Sequence, residues 1–168
     1  MAIWDKIKPW ILQIVFFVAI WGFVQWLYTQ KLLDTGEYLP EFTLHSMAGE
    51  SISDSDLRGK PTLIYFFAPW CGVCHFSIDS VESIKQEHEQ LNVIAIALDF
   101  EEVKEIEEFV SDHELTIPVL LGNRDTAMNF RVSAFPTYYT IDNEGRIVAK
   151  DMGVSTRVGL WLRTWLAR

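Results

Sequence analysis

Two cysteines, in the run Trp70-Cys71-Gly72-Val73-Cys74, are the residues of this chain best suited to chemistry. Two thiols two residues apart can close a disulfide with each other and open one in a partner, so the pair can carry two electrons. They are the only cysteines in 168 residues, too few for a disulfide scaffold or a four-cysteine zinc site. Their place in the local pattern decides the use. Residues 62–67 (TLIYFF) form a continuous β-branched and aromatic run, the mark of a strand buried on both faces. Ala68-Pro69-Trp70 breaks that run. From Cys71 to about Gln90, Cys74, Ile78, Val81 and Ile84 recur at the three- and four-residue intervals of an amphipathic helix. Cys71 thus falls at a helix amino terminus, where unpaired N–H groups and the macrodipole favour a thiolate. It is the expected nucleophile toward a partner's disulfide. Cys74, one turn on and on the same face, is placed to resolve the mixed disulfide. Neither role requires a metal or an organic cofactor.

The remaining pattern supplies the scaffold. Residues 42–44 and 51–53 flank Met47-Ala48-Gly49-Glu50 and read as a small hairpin, followed by a helical turn at 54–57. Residues 92–98 (NVIAIAL) form a second buried strand, and 101–113 a helix with Val103, Ile106, Phe109 and Val110 on one face. A short strand is expected at 117–121 and a short helix at 125–130. Residues 137–141 and 146–150 pair as a hairpin about Asp142-Asn143-Glu144-Gly145, and 156–166 close the chain as a helix. Strands and helices alternate and end in a hairpin, so the fold class is α/β with a mixed central sheet flanked by helices.

The amino-terminal segment differs in composition. Residues 9–30 carry no formal charge over 22 positions. As a helix at ~1.5 Å per residue they span about 33 Å, enough for roughly 30 Å of bilayer hydrocarbon. Trp4 and Trp10 lie at one end and Trp26 and Tyr28 at the other, where amphipathic rings prefer the interface. A cleaved signal peptide would need a small-x-small site, and Ile20-Trp21-Gly22 is a poor one, so the segment reads as an uncleaved single-pass anchor. Lys6 and Lys8 outweigh Lys31, which puts the amino terminus in the cytoplasm and the rest outside it. The expected organisation is an anchor at 1–30, a polar, Gly/Pro-bearing stalk at 31–40, and one domain at 41–168. Residues 37–168 hold 11 basic and 21 acidic side chains, a balance that excludes nucleic acid as a partner. The acidic run 101–108 reads as a solvated helix face.

The sequence resembles the thioredoxin fold, on WCGVC after a buried strand and Phe135-Pro136-Thr137 before another. It is similar in particular to the membrane-tethered TlpA/ResA-like branch. The Phe42-Thr43-Leu44 strand, the Gly49 turn, Asp56-Leu57-Arg58-Gly59-Lys60-Pro61, the inserted section 99–121 and Ile141-Asp142-Asn143-Glu144-Gly145 carry that likeness. The resemblance covers about residues 40–165. It implies a cis peptide bond at Pro136, packed beside the cysteine pair and shaping the partner groove. It also implies a disulfide reductase in the bacterial inner membrane with its domain periplasmic, recharged by a membrane electron donor of the DsbD type. The clients implied are oxidised extracytoplasmic thiols such as apocytochrome c or copper-stress proteins. Two positions depart from the family. A buried acid is usual six residues before the first cysteine, where this chain has Tyr65, and a Glu is common three residues after the second, where it has Ser77.

Rival readings use the same residues. Cys71-Gly72-Val73-Cys74-His75 fits the C-x-x-C-H attachment motif of c-type haem, with Met128 or Met152 as the other axial ligand. That motif opening a helix directly after a buried strand is unlike a helical cytochrome. Cys71, Cys74 and His75 also make a Cu(I) donor set, although Met47, Met128 and Met152 are scattered. His75 otherwise reads as a surface helix residue without a catalytic role. His45, His88 and His113 show no ligand spacing, and Trp161 and Trp165, four apart, read as core packing.

Overall fold

The computed structural model describes residues 2–88 and 90–167, with side chains from residue 10 onward except those of 25–28 and 166. Two compact units divide at Lys31 and Leu32. The first is helix α1 (Ala2–Thr29), 28 residues long, whose side chains from Trp10 to Val24 are all exposed. Among the described residues no helix is long and apolar enough to cross a membrane. The side chains of Trp4, Lys6, Lys8, Trp26 and Tyr28, read above as interface and orientation signals, lie outside the described ones.

The second unit is built on a seven-stranded mixed sheet. Its strands are β1 (Thr43–Ser46), β2 (Ser51–Ser53), β3 (Thr62–Phe67), β4 (Asn92–Ala97), β5 (Val119–Leu121), β6 (Thr137–Ile141) and β7 (Ile147–Met152), in the order β2-β1-β5-β4-β3-β6-β7. Strands β3, β4 and β5 run parallel, and β6 and β7 add to the β3 edge antiparallel. The apolar run of β3 is buried at every position because helices cover both faces. Odd-numbered residues of β3 and β4 (Leu63, Tyr65, Phe67, Val93, Ala95) face one core, with Cys74, Ile78, Val81 and Ile84 of α2 (Gly72–Glu87). Phe109 of α3 (Val103–Asp112) and Leu160 of α5 (Arg157–Leu166) join the same core. Even-numbered residues (Ile64, Phe66, Ile94, Ile96) face the other core with Phe130, which caps α4 (Arg124–Asn129). The two-residue alternation of an extended chain divides the cores in this way.

Two expectations are corrected. The segment expected as a stalk begins the folded unit instead. Leu32 and Leu33 are buried in the second core. Backbone bonds join Gly36 N–H to Ile147 O at 2.7 Å, Ile147 N–H to Glu37 O at 2.8 Å and Leu39 N–H to Gly145 O at 3.1 Å, while Lys150 Nζ meets Asp34 at 2.9 Å. The outer edge of β7 has unpaired backbone groups, and this chain supplies partners for some of them. Trp161 and Trp165 do not pack in the core either. They are 43% and 57% exposed, because the buried face of α5 is carried by Leu160 and Thr164.

Candidate active site

The cysteine pair sits where β3 ends and α2 begins. After Phe67 the chain turns at Ala68-Pro69-Trp70, and the Cys71 amide donates to Ala68 O at 3.0 Å. Cys71 is the N-cap of α2, in extended conformation, and the Cys74 amide donates to its sulfur at 3.2 Å. A thiol thus takes the capping place usually held by a hydroxyl or carboxylate, and accepts one of the helix's otherwise unpaired amides. Both cysteines are free thiols. Cys71 retains 6% of its surface and Cys74 none, so a partner reaches Cys71 first. Burial, followed by the hydrogen bond with Cys71, pushes the Cys74 thiol up to about 12.

Behind Cys74 lies a pocket of hydroxyls. The Tyr65 hydroxyl donates to Cys74 O at 3.2 Å and shares a hydrogen with Ser77 Oγ at 3.0 Å. These are the two positions where the resemblance led to an acid. Both are hydroxyls here, both are buried, and desolvation drives Tyr65 far from ionisation. Tyr65 also packs on Tyr138, ring centroids 5.2 Å apart, directly across the β3–β6 ladder.

The bond between Phe135 and Pro136 is cis, as the resemblance implied. The Trp70 ring meets Phe135 edge-on at 5.9 Å, which brings the loop before β6 against the turn carrying Cys71. The Trp70 indole N–H donates to Asp99 O at 2.8 Å. Asp99 is held at φ 53, a left-handed conformation uncommon outside glycine. An open cleft of about 570 Å³ lies beside these loops, lined by Asp99, Phe100, Asn123, Arg124, Ser133 and Phe135.

His75 is not a plain surface residue. Its Nε2 lies 2.9 Å from Pro69 O, its Nδ1 lies 2.8 Å from His113 Nε2, and His113 Nδ1 lies 3.2 Å from Asp79. The two rings and Phe109 pack together with centroids 4.6–5.0 Å apart. Both nitrogens of His75 therefore face other partners, which argues against its use beside the thiols as a copper ligand. Met152 is buried in the core on the opposite face of the sheet from the cysteines, which removes it as a haem ligand beside Cys71-His75. The imidazole chain, Tyr138 and the cleft were not singled out from the sequence; only pairing across elements brings them together.

A family model described as the AhpC/TSA family matches residues 35–150. The chain is 28% identical over 160 residues to a thioredoxin-like protein, YneN, of Bacillus subtilis, covering 90% of this chain and 94% of that one. It is 27% identical over 130 residues to the thiol-disulfide oxidoreductase ResA of Bacillus cereus, covering 76% and 75%. Among solved structures, a thiol:disulfide interchange protein of the thioredoxin family from Chlorobium tepidum superposes with a TM-score of 0.71 at 19% identity, covering 80% of this chain and 98% of that one. StoA of Bacillus subtilis gives 0.66 at 21%, covering 74% and 96%. The fold is shared with both.

Proposed function

The chain belongs to the AhpC/TSA family and is a thiol–disulfide oxidoreductase of thioredoxin fold, and from that premise we propose that Cys71 opens a client's disulfide and Cys74 resolves the adduct. The observation that carries this reading is the asymmetry of the pair. Cys71 caps α2 with its sulfur taking the Cys74 amide, while Cys74 is wholly enclosed. Cys71 stands at the position a client reaches, and burial keeps the second thiol protonated until the mixed disulfide has formed. Phe135 walls the client groove beside Trp70, and the cis bond to Pro136 shapes it. The chemistry needs no cofactor beyond the pair itself.

The protein works as a membrane-tethered reductase outside the cytoplasm. The uncharged run 9–30 within α1 and the flanking lysines support the tether. The resemblance of the sequence to the TlpA/ResA-like branch implies the direction of electron flow, with a membrane donor of the DsbD type restoring the dithiol. Oxidised extracytoplasmic protein thiols are the clients, apocytochrome c or copper-stress proteins among them.

Cysteine variants test the division of labour. Cys71→Ser abolishes reduction of insulin, and Cys74→Ser accumulates a mixed disulfide that identifies the client. Alkylation of Cys74 ahead of Cys71 would overturn the assignment. A reduction potential near thioredoxin's ~−270 mV fits a reductase, and one near ~−120 mV would make the protein an oxidant.

A further inference from the structure

Resolution by Cys74 needs its proton to leave a site with no surface of its own. Neither residue that might have been an acid beside it is one, since Tyr65 and Ser77 carry hydroxyls. Other titratable groups on the packed elements are engaged. Glu82 of α2, also buried, accepts from the amides of Thr116 at 3.2 Å and Ile117 at 3.4 Å and from the Thr116 hydroxyl. His75 faces Pro69 O and His113. What remains is a row running across the sheet. Tyr65 on β3 pairs with Tyr138 on β6, and Tyr138 pairs with Asp151 on β7. Residues directly opposite on adjacent strands project from the same face, and on this face that row lies beneath α2 and α5.

The middle of the row carries a second observation. The Tyr138 hydroxyl is buried and has no partner at ordinary hydrogen-bond geometry, a costly arrangement for a structural group. The Ser77 hydroxyl and the Ser155 backbone amide are its polar neighbours, close enough to act on its ionisation, and Asp151 is its cross-strand partner. Ser77 lies on its α2 side, and Asp151 stands directly opposite on β7 with its charge acting on the hydroxyl. Asp151 is 19% exposed at its side chain and paired with Arg163 at 2.5 Å, so a proton arriving there has a route to water.

We propose that Asp151 receives the Cys74 proton through the hydroxyls of Tyr65, Ser77 and Tyr138, as the distant acceptor that replaces the missing adjacent acid. This rests on the assignment of Cys74 as the resolving thiol. In the step, the Cys74 S–H proton passes to Tyr65 as Tyr65 gives its own to Ser77, Ser77 to Tyr138 and Tyr138 to the Asp151 carboxylate. The Cys74 sulfur then attacks Cys71 Sγ. The bond between Cys71 and the client sulfur breaks, and the client leaves as a thiolate with the bonding pair and takes a proton from water. Two electrons have moved from the cysteine pair to the client, and Asp151 returns its proton to solvent. The transfer runs once the Tyr138 hydroxyl has closed on Ser77 and Asp151. It is concerted, because burial holds both tyrosines away from ionisation, with Tyr138 pushed up to about 12. Desolvation also raises the Asp151 carboxyl above its ordinary range, against the opposing pull of Arg163, which brings it closer to the thiol it serves. Tyr138 and Asp151 are positioning residues in this scheme, since neither touches the reacting sulfurs.

The test loads Cys71 of the full chain with thionitrobenzoate as a mixed disulfide and follows release of the coloured thiol as Cys74 attacks, across pH. Tyr138→Phe removes one poorly bonded oxygen and keeps the ring, so a purely structural role predicts little change in stability and an unchanged rate. The relay predicts resolution slowed about tenfold or more at neutral pH, with the gap closing in alkali as hydroxide takes over. Asp151→Asn should slow it likewise and Asp151→Glu should recover part of the rate, while alkylation of Cys71 proceeds as in wild type in all three. Wild-type resolution rates and pH profiles in Tyr138→Phe, with wild-type helix content, would overturn the relay whether or not Asp151→Asn folds. Peptide mapping of the loaded protein separates the two ideas, since an adduct found on Cys74 would sink the assignment of the cysteines instead.

Discussion

The Tyr65 hydroxyl stands 3.0 Å from Ser77 Oγ, and both hydroxyls face the carbonyl of Cys74. The first residue of the pair comes from the middle of β3 and the second from the second turn of α2, so the contact ties strand to helix directly under the reactive pair. Neither hydroxyl is the sole partner of that carbonyl. Ser77→Ala leaves the Tyr65 donor in place, and Tyr65→Phe leaves Ser77. Each single change should lower stability by about 0.5–1.5 kcal/mol, with a measurable coupling between them in a double-mutant cycle by urea unfolding. Strict additivity would show that the two hydroxyls do not interact.

The enclosed Cys74 thiol makes stability depend on redox state in alkali. Its native value is raised, from 9.0 to about 12. For a group whose folded value is raised, the protonated form favours the native state; that stability is complete below about 9 and is lost as pH climbs toward 12. The reduced protein should therefore weaken across that window by at most about 1.4 kcal/mol per pH unit from this proton. Tyr65, Tyr138 and Tyr139 are raised too and act in the same direction, but they do so in either redox state. The difference between reduced and oxidised protein isolates the cysteine pair. Cys74→Ser, which cannot close the disulfide, should lose the part of the reduced protein's alkaline weakening that exceeds the oxidised protein's. Parallel urea midpoints for the reduced and oxidised forms across this range would contradict the burial argument.

Leu32 and Leu33 fix where the folded unit begins. Each leucine taken fully from water contributes about 1.5–3 kcal/mol, and Leu33 N–H also donates to the Tyr139 hydroxyl at 3.0 Å. A protein beginning at Leu32 should unfold at the same urea concentration as one bearing α1. A protein beginning at Glu41 should be less stable by several kcal/mol. Equal midpoints for all three would return residues 31–40 to a stalk.

How much of this was legible in the sequence follows from which interactions are local. β3 was read to the residue because Thr62 and the five apolar residues after it form a short, β-branched and aromatic run bounded by Pro61 and Pro69, the pattern of a strand buried on both faces. The cysteines were legible because their signal lies within five residues, whereas the cis bond between Phe135 and Pro136 was implied only by the family resemblance. Residues 31–40 were misread because pairing with the outer edge of β7 is a backbone interaction that composition does not record. Trp161 and Trp165 were misplaced because three- and four-residue spacing defines a face of α5 without saying that Leu160 and Thr164 hold the buried one. The row Tyr65–Tyr138–Asp151 depends on the register of three strands distant in sequence, which no single strand's pattern contains.

The imidazole chain from Pro69 O through His75 and His113 to Asp79 follows a proton count. Pro69 O and an ionised Asp79 can only accept, so hydrogen bonds at all three contacts need three N–H groups. Two neutral imidazoles hold two. The fully bonded chain therefore carries one excess proton, shared between the rings and balanced by Asp79. In Asp79→Asn the amide donates to His113 Nδ1, His113 Nε2–H to His75 Nδ1, and His75 Nε2–H to Pro69 O, so neutral rings satisfy every link in one direction. His113→Ala removes the centre of the chain and its packing on Phe109, and should cost about 1–3 kcal/mol, whereas Asp79→Asn should cost under about 0.5 kcal/mol. Nitrogen-15 spectra of the imidazoles provide the decisive readout. Wild type should show more protonated ring nitrogens than Asp79→Asn under the same conditions, and the variant should show His75 with hydrogen on Nε2 alone. The same number of protonated nitrogens in both proteins would sink the shared-proton chain, and would leave His75 and His113 in contact without a continuous hydrogen-bond path between them.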